Sequence, residues 1–226
     1  MFYWLTILSD GGDFFNLFRY ITFRAGGAFL TSLIFGFVFG RPLINLLRRR
    51  QGQGQPIRSD GPEAHFSKAG TPTMGGALIL GALVVSTVLW ARLDNMHIWV
   101  VLFVTIGFGA IGFADDYAKV SKQSVAGVSG KIRLGLGFGI ALVASLVAAQ
   151  LHPDGLSTQV AVPILKDALV PFGVLFFPFA MIVIVGTANA VNLTDGLDGL
   201  AIMPVMIAAA ALGVLAYAVG RVDFTQ

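Results

Sequence analysis

The chain contains no cysteine, only three histidines, and few charges: 12% of its 226 residues are Asp, Glu, Lys or Arg. The missing cysteines remove disulfide frameworks, thiolate metal sites and thiol nucleophiles together. The shortage of charge is equally restrictive, because a soluble domain carries about 25% charged residues and this chain could not cover a soluble surface. Disorder is excluded for the same reason, since it needs low hydrophobicity and high net charge. A formal net charge of +3 gives no ground for a nucleic-acid partner. The histidines offer no metal-ligand spacing, and His97 and His152 read as interfacial or solvated groups.

What is abundant is apolar: 56% of residues fall in the AVILMFWYC set. A bilayer core of about 30 Å needs about 20 apolar helical residues. Five charge-free runs reach that scale, at 69–91, 95–114, 134–153, 168–194 and 199–220; a sixth, 25–47, is broken only by Arg41 near one end. These runs are too long and uniform for the alternating strands of a β-barrel. The expected fold class is therefore an all-α polytopic membrane protein, one membrane domain over 1–226. Its six predicted helices lie near 22–46, 75–92, 97–115, 132–151, 169–187 and 199–219. The aromatic N-terminal stretch lacks a basic region and a small-residue cleavage site, and reads as an interfacial segment rather than a cleaved signal peptide.

Nine of the fifteen Lys and Arg residues sit in two connections, 48–73 and 115–133, whereas the connections on the other side hold only Arg92 and Lys166. The positive-inside rule makes the first pair cytoplasmic. Arg19 and Arg24 run against that orientation. This topology predicts that 48–73, the Asp115–Asp116 pair and 186–199 meet at one membrane boundary.

Several motifs fall there. Asp115 and Asp116 close an apolar helix, where the helix dipole disfavours acids and their mutual repulsion calls for a compensating cation. On a helix Asp115 and Lys119 share a face while Asp116 points about 100° away, so one carboxylate can face a reacting group and the other a metal or a supporting partner. Asn192, Asp195 and Asp198 recur at intervals of three; Gly196 and Gly199 suggest a loop approached closely by a ligand, and Asp198 alone has the simpler reading of a helix cap. Oxygen-only ligands of this kind suit Mg²⁺, which takes one or two carboxylates plus substrate phosphates. Lys68 through Gly76 joins a basic loop to a helix start, a place that attracts phosphate. No Walker sequence is present. Gly107, Gly109 and Gly112 match a dinucleotide fingerprint formally, but inside an apolar helix they read as packing residues. The same reading covers the Gly36/Gly40 and Gly135/Gly139 pairs.

Together, GQPIRSDGPEAHFSKAGTPTMGG (54–76), FADDYAKV (113–120) and NAVNLTDGLDGLAIMP (189–204) resemble the MraY family, the phospho-N-acetylmuramoyl-pentapeptide transferases. That family lies within the polyprenyl-phosphate N-acetylhexosamine-1-phosphate transferase superfamily. The resemblance implies transfer of phospho-MurNAc-pentapeptide from UDP-MurNAc-pentapeptide to undecaprenyl phosphate, with Mg²⁺, giving lipid I and UMP at the cytoplasmic face of the bacterial inner membrane. By motif, it implies Asp115 as base toward the lipid phosphate and Asp116 in the metal–diphosphate environment. Asn192 and Asp195 would line the catalytic pocket, with Asp195 a second candidate metal ligand. Asp198 would contact the nucleoside, and Lys68, Thr73 and Lys119 would lie near phosphate or nucleotide. It further implies a homodimer in the lipid bilayer and a ten-helix fold of which six helices are present. A later metal-binding aspartate and a histidine cluster do not occur here, so residues 1–226 alone are expected to be inactive. A sister transferase passing GlcNAc-1-phosphate shares the acidic motifs, whereas 54–76 favours the pentapeptide enzyme. An ion-coupled transporter is disfavoured because its ionisable groups belong inside the spans.

Overall fold

The structure is a computed structural model that describes residues 1–52, 72–123, 127–152, 155–162, 169–194 and 200–219. Six α-helices account for most of it: α1 Ile21–Gln51, α2 Gly76–Trp90, α3 Met96–Ser121, α4 Gly130–Leu151, α5 Phe176–Thr194 and α6 Ile202–Val219. By length and composition α1, α3, α4 and α5 (with the 3₁₀ turn that leads into it) can each cross a membrane, and α2 and α6 are shorter apolar helices. The chain is an α-helical polytopic membrane protein, in agreement with the sequence reading.

Three helix bounds differ from expectation. α1 continues to Gln51, carrying Arg48, Arg49 and Arg50 in its last turn, where cations complement the dipole. α3 runs six residues past Asp115 to Ser121, so the acidic pair sits within a helix rather than at its end. Helical hydrogen bonding does not stop where hydrocarbon stops, and hydropathy marks only the latter. α5 starts late because Leu169–Pro171 forms a short strand, β2, antiparallel to β1 at Gln159–Ala161, with Val160 opposite Val170. α5 then extends to Thr194, so Asn192 is helical where a loop was expected.

The buried core is narrow, and its largest share, on α4, is made of small residues. On α4, Gly137, Ala141, Ala144, Ser145 and Ala149 form the covered face, between α3 and α5. Without a hydrophobic drive between helices in lipid, close backbone approach is what gains dispersion contact. Gly107 and Gly109 behave as expected, since a Cβ at either would overlap Ile140 or Leu80, at 2.8 and 2.7 Å, whereas Gly112 has nothing within 4 Å of a built Cβ among the described residues. The pairs Gly36/Gly40 and Gly135/Gly139 do not behave as expected. Among the described residues Gly36, Gly135 and Gly139 have no neighbour within 4 Å of a built Cβ and Gly40 only Leu78 at 3.7 Å, while Gly137, between the latter two, meets Phe108 and Val185.

At the other end, two 3₁₀ turns, Phe2–Leu8 and Phe14–Arg19, lay aromatic rings over the start of α1 and the end of α2. Phe2, Phe18 and Phe23 surround Trp90 at centroid distances of 4.9, 6.0 and 6.0 Å. The Trp90 Nε1–H donates to Thr31 Oγ1 at 2.9 Å, and Gly27 leaves room for the ring, which a Cβ there would strike. Rings of this type gather at membrane–water interfaces. His97 and His152, read from the sequence as interfacial or solvated, are both exposed and pack edge to face with centroids 5.7 Å apart.

Candidate active site at the α3–α4 turn

Asp115 is the one buried charged residue among the described residues, 7% exposed. Burying a carboxylate in an apolar bundle is expensive unless it is paired and hydrogen-bonded, and here both oxygens are occupied. Oδ1 accepts the Val128 backbone N–H at 2.8 Å. Oδ2 lies 2.7 Å from Lys119 Nζ and 3.6 Å from Arg133 Nη1. The helical spacing put Asp115 and Lys119 on one face, and the structure pairs them there. The cation that the adjacent acids require is thus Lys119, joined by Arg133 from the first turns of α4.

The Val128 contact dictates its neighbour. A Cβ on Gly127 would collide with Asp115 Oδ1, and would stand 2.8 Å from Cγ and 2.9 Å from Lys119 Cε. Only glycine lets the α3–α4 connection pass this close to the carboxylate.

Asp116 is held differently. Oδ2 accepts the Thr73 hydroxyl at 3.0 Å, and Oδ1 lies 3.7 Å from Lys119 Nζ, beyond hydrogen-bond range; the side chain remains about one-third exposed. One carboxylate is therefore enclosed and saturated, and the other keeps an oxygen open to the aqueous side. Thr73 is itself fixed by Gln51, the last residue of α1. The Gln51 side-chain amide makes a two-way clasp: Nε2–H donates to Thr73 O at 3.0 Å and Oε1 accepts Thr73 N–H at 2.9 Å. Gln51 is buried, so water does not compete for these bonds. Met74 follows with φ of 72°, a left-handed turn that starts α2 and costs a non-glycine residue roughly 1 kcal/mol.

Of the sequence-predicted site residues, the structure brings together Thr73, Asp115, Asp116 and Lys119. Asn192 lies exposed on the last turn of α5, with no contact to the acidic pair among the described residues. Lys68, Asp195 and Asp198 lie outside the described residues. Gln51, Gly127, Val128 and Arg133 were not identified from sequence. A glutamine closing a basic helix end is a weak signal, and a backbone N–H leaves none. Among the described residues no three His, Asp or Glu side chains converge into a metal cage. The arrangement offers instead a cation-flanked carboxylate beside a half-open one, at the edge of an apolar bundle.

Comparison with known proteins adds to this geometry. The family model for glycosyl transferase family 4 matches residues 98–226, which include both aspartates. A model for phospho-N-acetylmuramoyl-pentapeptide-transferase signature 1 matches residues 68–80, which include Thr73. Phospho-N-acetylmuramoyl-pentapeptide-transferases of a Ruegeria species, of Ruegeria pomeroyi and of Dinoroseobacter shibae are 73%, 72% and 70% identical to the chain over its whole length. The chain spans 63% of the length of each of these relatives.

Proposed function

The chain belongs to glycosyl transferase family 4, and from that premise we propose that it is the larger part of an enzyme that moves phospho-MurNAc-pentapeptide from UDP-MurNAc-pentapeptide onto undecaprenyl phosphate. One observation carries the reading: Thr73, within the matched pentapeptide-transferase signature, donates its hydroxyl to Asp116 of the acidic pair. The signature and the carboxylates are a single site.

In this reaction a lipid phosphate oxygen attacks the phosphorus that bears the sugar. A new P–O–P linkage forms, the bond to UMP breaks, and UMP leaves with the electron pair. Such transfers depend mainly on positioning and charge neutralisation. Asp115 takes the proton of the lipid phosphate. Its Oδ2 is shared with Lys119, whose long stem lets the ammonium follow an arriving phosphate and leave that oxygen to the proton. Arg133 keeps positive charge beside the carboxylate meanwhile. Asn192 and Asp195 line the pocket, Asp198 meets the nucleoside, and Lys68 steadies phosphate.

For Mg²⁺ the residues present fit in part. Asp116 has an oxygen without a hydrogen-bond donor in range and is partly exposed, which suits an ion that uses one or two carboxylates plus substrate phosphates; Asp195 is the second ligand in this reading. An ion held there would supply charge neutralisation to the diphosphate. The site faces the cytoplasm on the strength of the basic connections beside it. The protein works as a homodimer, and residues 1–226 without the remainder of the family length turn over little or no substrate.

The test is reconstitution of the protein, at the full length of its relatives, with undecaprenyl phosphate and UDP-MurNAc-pentapeptide, measuring UMP and lipid I. Turnover should require the pentapeptide substrate and Mg²⁺. Turnover with UDP-GlcNAc in its place would assign the chain to the sister GlcNAc-1-phosphate transferases. Lipid I synthesis by residues 1–226 alone would overturn the claim that the remainder is needed.

A further inference from the structure

A second polar site lies at the opposite end of the helices. α1 begins there and runs to Gln51 beside the acidic pair, and α2 returns from Thr73 to end there at Trp90. Between the two helix ends is a cavity of about 370 Å³ lined by Arg24, Ser86, Thr87, Trp90, Arg92 and Asn95, with apolar residues of α1 as its other wall. Three of its residues, Ala28, Ser86 and Thr87, also line a second cavity of about 530 Å³ that continues down the α1–α2 groove past Leu33, Ile79 and Leu83. Both volumes are in the range that ligand pockets occupy. The upper one is polar on one wall and the lower one is apolar.

The polar wall has unused donors. Arg24 Nε and Ser86 Oγ are buried without a hydrogen-bond partner among the described residues, and Ser86 as a whole is 5% exposed. Serines inside helices ordinarily return their hydroxyl to a carbonyl of the preceding turn. Ser32 and Ser145 do so, onto Phe29 and Leu142; Ser86 does not. A buried donor left alone is costly, so the cavity is built for an acceptor.

The charge there is positive. Arg24 and Arg92 both lie over the Tyr3 ring, their guanidinium carbons 5.0 and 4.7 Å from its centroid. Arg92 is matched by Asp94 at 2.7 Å, whereas Arg24 has no carboxylate within ion-pair range among the described residues. The balance over Arg24, Arg92 and Asp94 is one unit positive, located on Arg24.

We propose that this groove binds an anionic glycerophospholipid of the leaflet opposite the candidate active site, its phosphate taken by Arg24 Nε and the Ser86 hydroxyl and one acyl chain laid along α1 and α2. Phosphate supplies the acceptors that both donors lack, and guanidinium is suited to it. The apolar continuation selects a chain-bearing phosphate over a free one. Trp90 and the rings around it mark the interfacial depth at which a headgroup sits.

The experiment is native mass spectrometry of the detergent-solubilised protein at full family length, titrated separately with dioleoylphosphatidylglycerol, dioleoylglycerol and inorganic phosphate. One saturable phosphatidylglycerol adduct is expected, with the other two probes binding at least about tenfold more weakly. Arg24→Gln should weaken the adduct about tenfold. Ala28→Trp, which fills the groove where the two cavities meet, should abolish it. Helicity by circular dichroism identifies which variants have folded, and Ser86→Ala, a small change in a helix, provides a third reading. Equal binding of dioleoylglycerol would refute the headgroup assignment, and equal binding of free phosphate would refute the acyl groove. An adduct unchanged in every folded variant would refute the site, as would a protein dimer from which phosphatidylglycerol is excluded. Each of these results is independent of whether lipid I is made.

Discussion

Replacing Gln51 with leucine should slow the transfer reaction although Gln51 touches neither aspartate. The substitution removes both bonds of the clasp on Thr73, at 2.9 and 3.0 Å. Each is worth about 1 kcal/mol net, and the orphaned Thr73 N–H and carbonyl in a buried place add to that. Leucine is a good helix former, so α1 itself is not weakened. If about 2 kcal/mol of the clasp is used to hold the Thr73 hydroxyl on Asp116, kcat/KM should fall about 30-fold. UMP release measures the fall, and a double-mutant cycle with Thr73→Val locates it. Because Gln51 acts through Thr73, Gln51→Leu added to Thr73→Val should cost less than about threefold more. A Gln51→Leu protein with unchanged kcat/KM would refute the reasoning. So would losses that simply multiply in the double mutant, since these would show that Gln51 acts elsewhere.

Gly127→Ala should lower turnover by about tenfold or more, because the new methyl displaces the Asp115 carboxylate from Val128 N–H; UMP release against Tm separates this from unfolding. Gly27→Ala should lower Tm instead, by overpacking against Trp90 that costs about 1–3 kcal/mol, and Trp90→Leu in the same chain should recover part of the loss. Asp115→Asn, Asp116→Asn and Asp195→Asn should each abolish UMP release at full family length with helicity retained. A wild-type rate in any of the three removes that residue from the mechanism.

The spans were legible because lipid imposes a single requirement, an apolar run of sufficient length, and the sequence meets it openly. Three of their bounds were not. α1 and α3 persist beyond the hydrocarbon because backbone hydrogen bonding carries on in water, and α5 is delayed by a strand pair that three-residue segments cannot advertise. Within the site, Asp115 and Lys119 were readable since both lie on one helix at a fixed spacing. The Gln51 clasp joins residues 22 apart, and the Val128 bond comes from the main chain, so neither had a pattern to follow. Arg24 was visible only as an exception to the charge rule. Its place beside a cavity with unpaired donors gives that exception a physical setting.

The length of α1 has a mechanical consequence. Its 31 residues make a rod of about 46 Å against a hydrocarbon layer of about 30 Å, and Pro42 interrupts its hydrogen bonding about 13 Å before Gln51. A five-degree bend at that proline would carry the tip roughly 1 Å sideways, further than a short hydrogen bond tolerates. Since helices tilt to match the thickness of their surroundings, the grip of Gln51 on Thr73 sits at the far end of a long lever, where a small change of angle at the proline has its largest effect.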